Sequence, residues 1–238
     1  MKTFFYNRTV YSLGLLNMEV PQCFLELDDH FDTLFTTSPG LTHESVRLAE
    51  NLCRRIADVE FHAHFICENQ KSPDTLKAAI LIGTYLVGYF NACKSLLDAC
   101  AITLAKVYNL RLKNKQMDFS KSIFWKQLES QAGSVIKNRY KPFAGLFDEI
   151  IEWRDAAVHR ITPFVITHSP GAPDKTPREK MEIKMVTQPD ADISTVVKRT
   201  RSIQWVEPLY YHKKWRSQLL ELCKEVCLDI RSQTFQGT

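Results

Sequence analysis

The longest uncharged stretch, Ala78 to Cys93, constrains the fold of this chain more than any other feature of its sequence. It contains sixteen residues between Lys77 and Lys94, whereas a membrane-spanning helix needs about 20 apolar residues. It also includes polar or flexible positions such as Asn91. The stretch therefore predicts a buried core helix, and no membrane partner is expected.

Apolar residues recur at helical spacing on both sides of this stretch. Ser72, Pro73 and Asp74 form a helix start signal, with a capping hydroxyl, a proline and an acid at the positive end of the dipole. The patterns predict helices from Thr42 to about Asn69, from Ser72 to about Leu112, from Ser120 to about Ala132 with Gly133 as the stop, from Pro142 to Ile161, and from about Leu209 to Ser232.

Three short runs before the last helix have the composition of strands, and a loop rich in proline lies among them. They are Phe164–Thr167, Met181–Val186 and Ser202–Val206. Strands and helices do not alternate, so no parallel sheet is expected. The predicted fold class is mainly α, a helical bundle with a small β insertion before the C-terminal helix. It forms a single domain over residues 1–238, with an N-terminal extension of unassigned structure (1–41), main helices (42–162), the β-rich insertion (164–207) and the C-terminal helix (208–233).

Composition indicates an ordinary folded protein, with 45% hydrophobic and 24% charged residues. The seven cysteines are an odd number and lack CxxC spacing, which favours a reducing compartment. Charged residues interrupt the N-terminal segment before a long apolar run develops, so no signal peptide is expected. A cytoplasmic location is therefore predicted.

The run Arg154-Asp155-Ala156-Ala157-Val158-His159 lies near the end of a late helix, and Pro163 follows within a turn. An arginine, an adjacent acid and a histidine five positions after the arginine resemble the motif of the HEPN superfamily (higher eukaryotes and prokaryotes nucleotide-binding). The resemblance covers the bundle of residues 42–162 and the last helix. It implies a metal-independent endoribonuclease of toxin or defence type that acts on RNA as a homodimer without a cofactor, with an antitoxin or nucleotidyltransferase as a further partner.

The chemistry of the motif fits this implication. Cleavage of RNA by its own 2′-hydroxyl requires a group that moves protons and a cation that stabilises charge on the phosphate. His159 is expected to move protons, Arg154 to bind phosphate and Asp155 to orient His159. The helix C-terminus and Asp155, four residues earlier, both favour imidazolium, whereas the adjacent Arg160 opposes it.

The spacing of the motif favours a site shared between two protomers. On an ideal α-helix, Arg154 and His159 lie roughly 140° apart, so they do not share a face. Arg154 also lies within a predicted apolar stripe, where an unpaired charge is costly. That stripe consists of Phe143, Leu146, Phe147, Ile150, Ala157, Val158 and Ile161.

A structural interpretation of the motif stays open beside the catalytic one. Arg154 would then be a core-edge arginine paired with a carboxylate of another helix, and His159 would cap the helix C-terminus. The chain would be a catalytically silent relative, a dimeric module for nucleic-acid or protein interaction.

Residues 111 to 141 form a basic stretch, with eight basic and two acidic residues and hence a charge of +6, while the whole chain has a net charge of +4. Aromatic residues are interleaved with the charges, which is typical of a surface that follows phosphates and stacks bases. The predicted nucleic-acid-binding residues are Lys121, Lys126, Lys137, Arg139 and Lys141. A solvated surface without a ligand is the alternative.

A metal site is not expected. His62 and His64, with Glu60, Cys67 and Glu68 nearby in sequence, suggest metal ligands, but residues two apart on a helix point about 200° apart and cannot share an ion. The sequence contains no GxxxxGK[ST], GxGxxG, HExxH or GxSxG motif. It therefore lacks the motifs that usually identify P-loop hydrolases, Rossmann dehydrogenases, zincins and α/β-hydrolases.

Overall fold

The computed structural model describes residues 43–160, 165–168, 182–187 and 204–234. Its α-helices are α1 (His43–Gln70), α2 (Thr75–Val107), α3 (Ser122–Ala132), α4 (Ser134–Tyr140), α5 (Ala144–Asp155) and α6 (Tyr210–Thr234). Short 3₁₀ turns occupy Asn114–Gln116 and Lys141–Phe143, and a π-helical turn, Ala156–Arg160, continues α5. The mainly α bundle with a small β insertion before the last helix is confirmed. The predicted extension 1–41, Pro163 and most of the loop residues of the insertion lie outside the described ranges.

The ends of α2 show how local chemistry sets its length. The Asp74 carboxylate accepts a hydrogen bond of 3.0 Å from the backbone N–H of Lys77, so Asp74 caps the helix, and the predicted cap at Ser72 is wrong. At the other end, Asn109 has φ of 51°, and the N–H of Leu110 donates to Ala105 O at 2.8 Å. This Schellman arrangement ends the helix before the predicted Leu112.

The helix from Ser120 was predicted to stop at Gly133, and that prediction is confirmed. Gly133 has φ of 80°, a conformation that glycine adopts without a steric penalty. Helix α4 begins directly after this glycine and was not predicted. Its seven residues are too few for a clear helical period.

The insertion contains an antiparallel sheet in the order β1 (Val165–His168), β2 (Glu182–Val186) and β3 (Trp205–Val206). Val165 pairs with Met185, and Val186 pairs with Trp205. The strand prediction is confirmed at these positions. The alternating β2 pattern places Ile183 and Met185 in buried positions, as expected for a sheet with one covered face.

Helix α2 contains the uncharged stretch and is long and apolar enough to span a membrane by length and composition alone. Half of its most apolar window is buried by other parts of the chain, and Phe90, Leu96 and Leu104 are fully buried. This burial agrees with the predicted core helix.

The chain divides into two compact units. The first comprises the described parts of residues 1–60, 95–148 and 217–238, and the second those of 61–94 and 149–216. The basic stretch belongs to the first unit, and the Arg154 motif belongs to the second.

Candidate functional site

The motif residues occupy the end of α5 and the turn that follows it. Arg154 and Asp155 are the last α-helical residues, and His159 lies in the π-helical turn Ala156–Arg160. The Arg154 guanidinium donates to the Asp155 carboxylate at 2.8 Å. The side chain of His159 is outside the described set, so its orientation by Asp155 stays a prediction.

The apolar stripe of α5 differs from the predicted one. Trp153 and Ala156 are buried, whereas Val158 is 42% exposed. Arg154 therefore lies at the edge of the buried face, and its side chain is 32% exposed. The prediction that Arg154 lies within the stripe is wrong, because the stripe follows Ile150, Trp153 and Ala156 at helical spacing.

The π-helical turn changes the angular relation between Arg154 and His159. A π-helix closes i→i+5 hydrogen bonds and has a wider turn than an α-helix, so each residue adds less than about 100° of rotation. The backbone positions of two residues five apart therefore lie closer in angle than the 140° expected for an ideal α-helix. The predicted 140° is therefore too large for this backbone, since it assumed α-helical geometry through His159. Such π-turns occur frequently at functional sites.

Side chains of the second unit pack around the end of α5. The Trp153 ring stacks on Phe90 with a centroid distance of 4.9 Å and contacts Tyr211 at 4.7 Å. One turn earlier, the Glu149 carboxylate accepts hydrogen bonds from the Trp215 indole at 2.8 Å and from Lys214 at 2.6 Å. Burial raises the pKa of Tyr211. The backbone that presents Arg154 is therefore supported by side chains of both α2 and α6.

Arg139, in the basic stretch, contributes to the fold of the first unit. Its guanidinium binds Asp229, whose side chain is 1% exposed, and lies 3.7 Å from Glu225. Burial lowers the pKa of Arg139, but Asp229, Tyr140 and Tyr108 together raise it by more, and the net shift is upward. Arg139 thus neutralises a buried carboxylate, and its predicted contact with RNA stays a prediction.

The predicted lysines of the stretch fall into two groups. Lys137 forms an exposed ion pair with Glu129 at 2.9 Å. Lys121, Lys126 and Lys141 are exposed and form no ion pair with other described residues. These three side chains are the ones that an approaching phosphate would meet without competition from a carboxylate.

The histidine pair on α1 shows no sign of a metal site. Among the described residues, no group of three or more histidine, cysteine or acidic side chains is arranged to hold an ion. His62 has a packing role, because a β-carbon on Gly88 would lie 2.3 Å from Cε1 of its ring. A larger residue at position 88 would therefore require the His62 ring to move.

Comparisons with family models, curated proteins and solved structures find no match for this chain.

Proposed function

We propose that this chain is a metal-independent endoribonuclease of HEPN type that acts as a homodimer in the cytoplasm. The observation that carries the proposal is the π-helical turn, which reduces the angle between Arg154 and His159. A cation and an imidazole are the groups that cleavage by the 2′-hydroxyl requires.

In the proposed reaction, the 2′-hydroxyl oxygen of RNA attacks the adjacent phosphorus, and the bond to the 5′-oxygen breaks. One imidazole accepts the proton of the 2′-hydroxyl, and a second donates a proton to the leaving 5′-oxygen, which gives a 2′,3′-cyclic phosphate and a 5′-hydroxyl. One protomer supplies one motif histidine, so the partner protomer would supply the other. Arg154 would stabilise the negative charge on the phosphate.

The Arg154–Asp155 ion pair supports a role for Asp155 beside the phosphate-binding group. A carboxylate 2.8 Å from the guanidinium restricts the side chain to few rotamers. Phosphate would have to displace this carboxylate from Arg154 or bind beside it. Asp155 would therefore set both the position of the Arg154 guanidinium and its affinity for phosphate. A toxin or defence role, with an antitoxin or nucleotidyltransferase as partner, belongs to the same proposal.

A catalytically silent dimeric module is the second candidate, and specific contacts favour it. Arg154, Lys137 and Arg139 all have carboxylate partners within the chain, which a purely structural role would also explain. Cleavage of RNA in the presence of EDTA separates the ribonuclease from the silent module. Only the ribonuclease should cleave RNA without a metal ion, at a rate that depends on His159 and Arg154. A chain that binds RNA or a protein without any cleavage would favour the second.

A further inference from the structure

A groove in the first unit is lined by aromatic and polar side chains of the kind that bind a planar ring. We call it the aromatic groove and define it by Phe119, Trp125, Asn138, Lys141, Phe147 and Asp148. Its volume is about 610 Å³, within the range of roughly 300–1,000 Å³ that is typical of small-molecule sites.

Aromatic rings form the apolar wall of the aromatic groove. Phe119 and Phe147 lie parallel at 4.3 Å, and Trp125 stacks on Phe119 at 5.5 Å. The indole N–H of Trp125 donates to Phe119 O at 2.7 Å, which fixes the ring and satisfies its only polar group. Trp125 is partly exposed, so it lines the groove with a rigid surface on which a planar group can stack.

Polar side chains at the rim of the groove have unused hydrogen-bonding capacity. The residues Asn138, Lys141 and Asp148 are exposed, and their side chains form no hydrogen bond or ion pair with other described residues. An amide and a carboxylate can pair with the amino group and ring nitrogen on the edge of a nucleobase. An ammonium group can bind the attached phosphate. Together with the stacking surface, they match the parts of one nucleotide.

We infer that the aromatic groove binds a single unstacked nucleobase of RNA, with the base on Trp125 and its phosphate at Lys141. Sequence-specific recognition of RNA commonly uses unstacked bases that pack on aromatic side chains and are read along their edges. Asp148 can accept a hydrogen bond from the exocyclic amino group of adenine, cytosine or guanine, a group that uracil lacks. The inference rests on the proposed function only in taking RNA as the source of the base.

The groove is tested by equilibrium binding to labelled RNA hexamers, measured by fluorescence anisotropy with the full-length chain carrying His159→Ala. Loss of one base–aromatic stack weakens binding by roughly 5- to 150-fold, so Trp125→Ala should reduce affinity for oligoadenylate by that factor. Trp125→Phe should retain most of the affinity, which separates stacking from a general structural effect. Ile123→Ala is the matched control, because Ile123 is on the same helix, is 39% exposed and does not line the groove.

A second pair of variants tests how the base is read. Asn138→Ala and Asp148→Ala should reduce the preference for oligoadenylate over oligouridylate, with little effect on oligouridylate itself. Equal affinities of Trp125→Ala and the unsubstituted background would overturn the inference, even if the native chain cleaves RNA. Conversely, binding that depends on Trp125 in a native chain without cleavage would support the groove and contradict the proposed function. Self-association that depends on Trp125 and is unaffected by RNA would assign the groove to a second copy of the chain and overturn the inference.

Discussion

The hydroxyl group of Tyr140 donates a hydrogen bond of 2.5 Å to the buried carboxylate of Asp229. Arg139 binds the other oxygen of the same carboxylate. One carboxylate on α6 therefore accepts hydrogen bonds from two neighbouring side chains of α4. Burial, and then the charge of Asp229, raise the pKa of Tyr140, and the phenol therefore remains a donor at any physiological pH.

This network should make Asp229→Ala strongly destabilising. The substitution leaves a buried hydroxyl without its acceptor and Arg139 without its main partner, a loss of about 2–4 kcal/mol in the free energy of unfolding. Chemical denaturation measures it. Lys137→Ala is the control, because its ion pair is exposed and contributes less than about 1 kcal/mol. Equal destabilisation by the two substitutions would contradict the structural role of Asp229.

Cleavage of RNA should persist in EDTA and leave a 2′,3′-cyclic phosphate. His159→Ala should lower the rate by about 10²–10⁴-fold, the usual contribution of acid–base help, and Arg154→Ala should lower it similarly through lost charge stabilisation. The controls are His64→Ala on α1 and Arg55→Ala, since Arg55 also forms an ion pair with a carboxylate nearby in sequence. Activity that requires a metal, or that survives both motif substitutions, would rule out this site.

The π-helical turn makes the spacing of the motif testable. Deletion of Ala157 should convert the turn to an α-helix and leave arginine and histidine four apart, which again places them on one face. An alanine inserted after Ala157 should rotate the histidine away. We therefore expect the deletion to retain far more cleavage activity than the insertion, at similar helical content by circular dichroism. The reverse order of activities would show that the π-helical turn does not align the site.

A homodimer should form at micromolar concentration, with the two motif helices facing each other. Sedimentation measures the assembly. Mixed dimers of one native protomer and one His159→Ala protomer then show whether the site is shared. Because cleavage requires one imidazole from each protomer, a composite site loses nearly all activity in the mixed dimer, whereas two independent sites retain the activity of the native protomer. A monomer at tens of micromolar would exclude the shared site.

Binding of single-stranded RNA should weaken steeply with salt, because phosphates neutralised by lysines release counterions. Reversal of Lys121, Lys126 and Lys141 to Glu should weaken it further without disturbing the Asp229 network. The charge-matched control reverses Lys71, Lys77 and Lys224, which lie outside the basic stretch. Equal effects of the two triple variants would indicate attraction by net charge alone.

Features with a local cause could be predicted from the sequence. Gly133 stops α3 because of its own conformational freedom, and the uncharged stretch in α2 becomes a core helix because its length and composition leave few alternatives. The Arg154 motif was located on its helix by the same reasoning. Local signals also failed where two competed, as at Ser72 and Asp74, where both side chains can cap a helix.

The features that could not be predicted from the sequence depend on tertiary contacts. The side chain of Asp229 has two partners about 90 residues earlier in the chain, and periodicity within α6 does not reveal them. Trp153 was left out of the predicted stripe, although it packs on Phe90 of α2. The π-helical turn alters the period itself, so any count based on 3.6 residues per turn fails beyond Asp155. The aromatic groove required the joint placement of α3, α4 and α5.

The contact between His62 and Gly88 offers a genetic tool. A methyl group at position 88 cannot fit unless the His62 ring moves, yet neither residue belongs to the motif or to the basic stretch. Gly88→Ala is therefore a natural choice for a temperature-sensitive allele, folded in the cold and lost on warming. Under the proposed ribonuclease function, such an allele would allow growth at one temperature and a synchronous onset of activity at another.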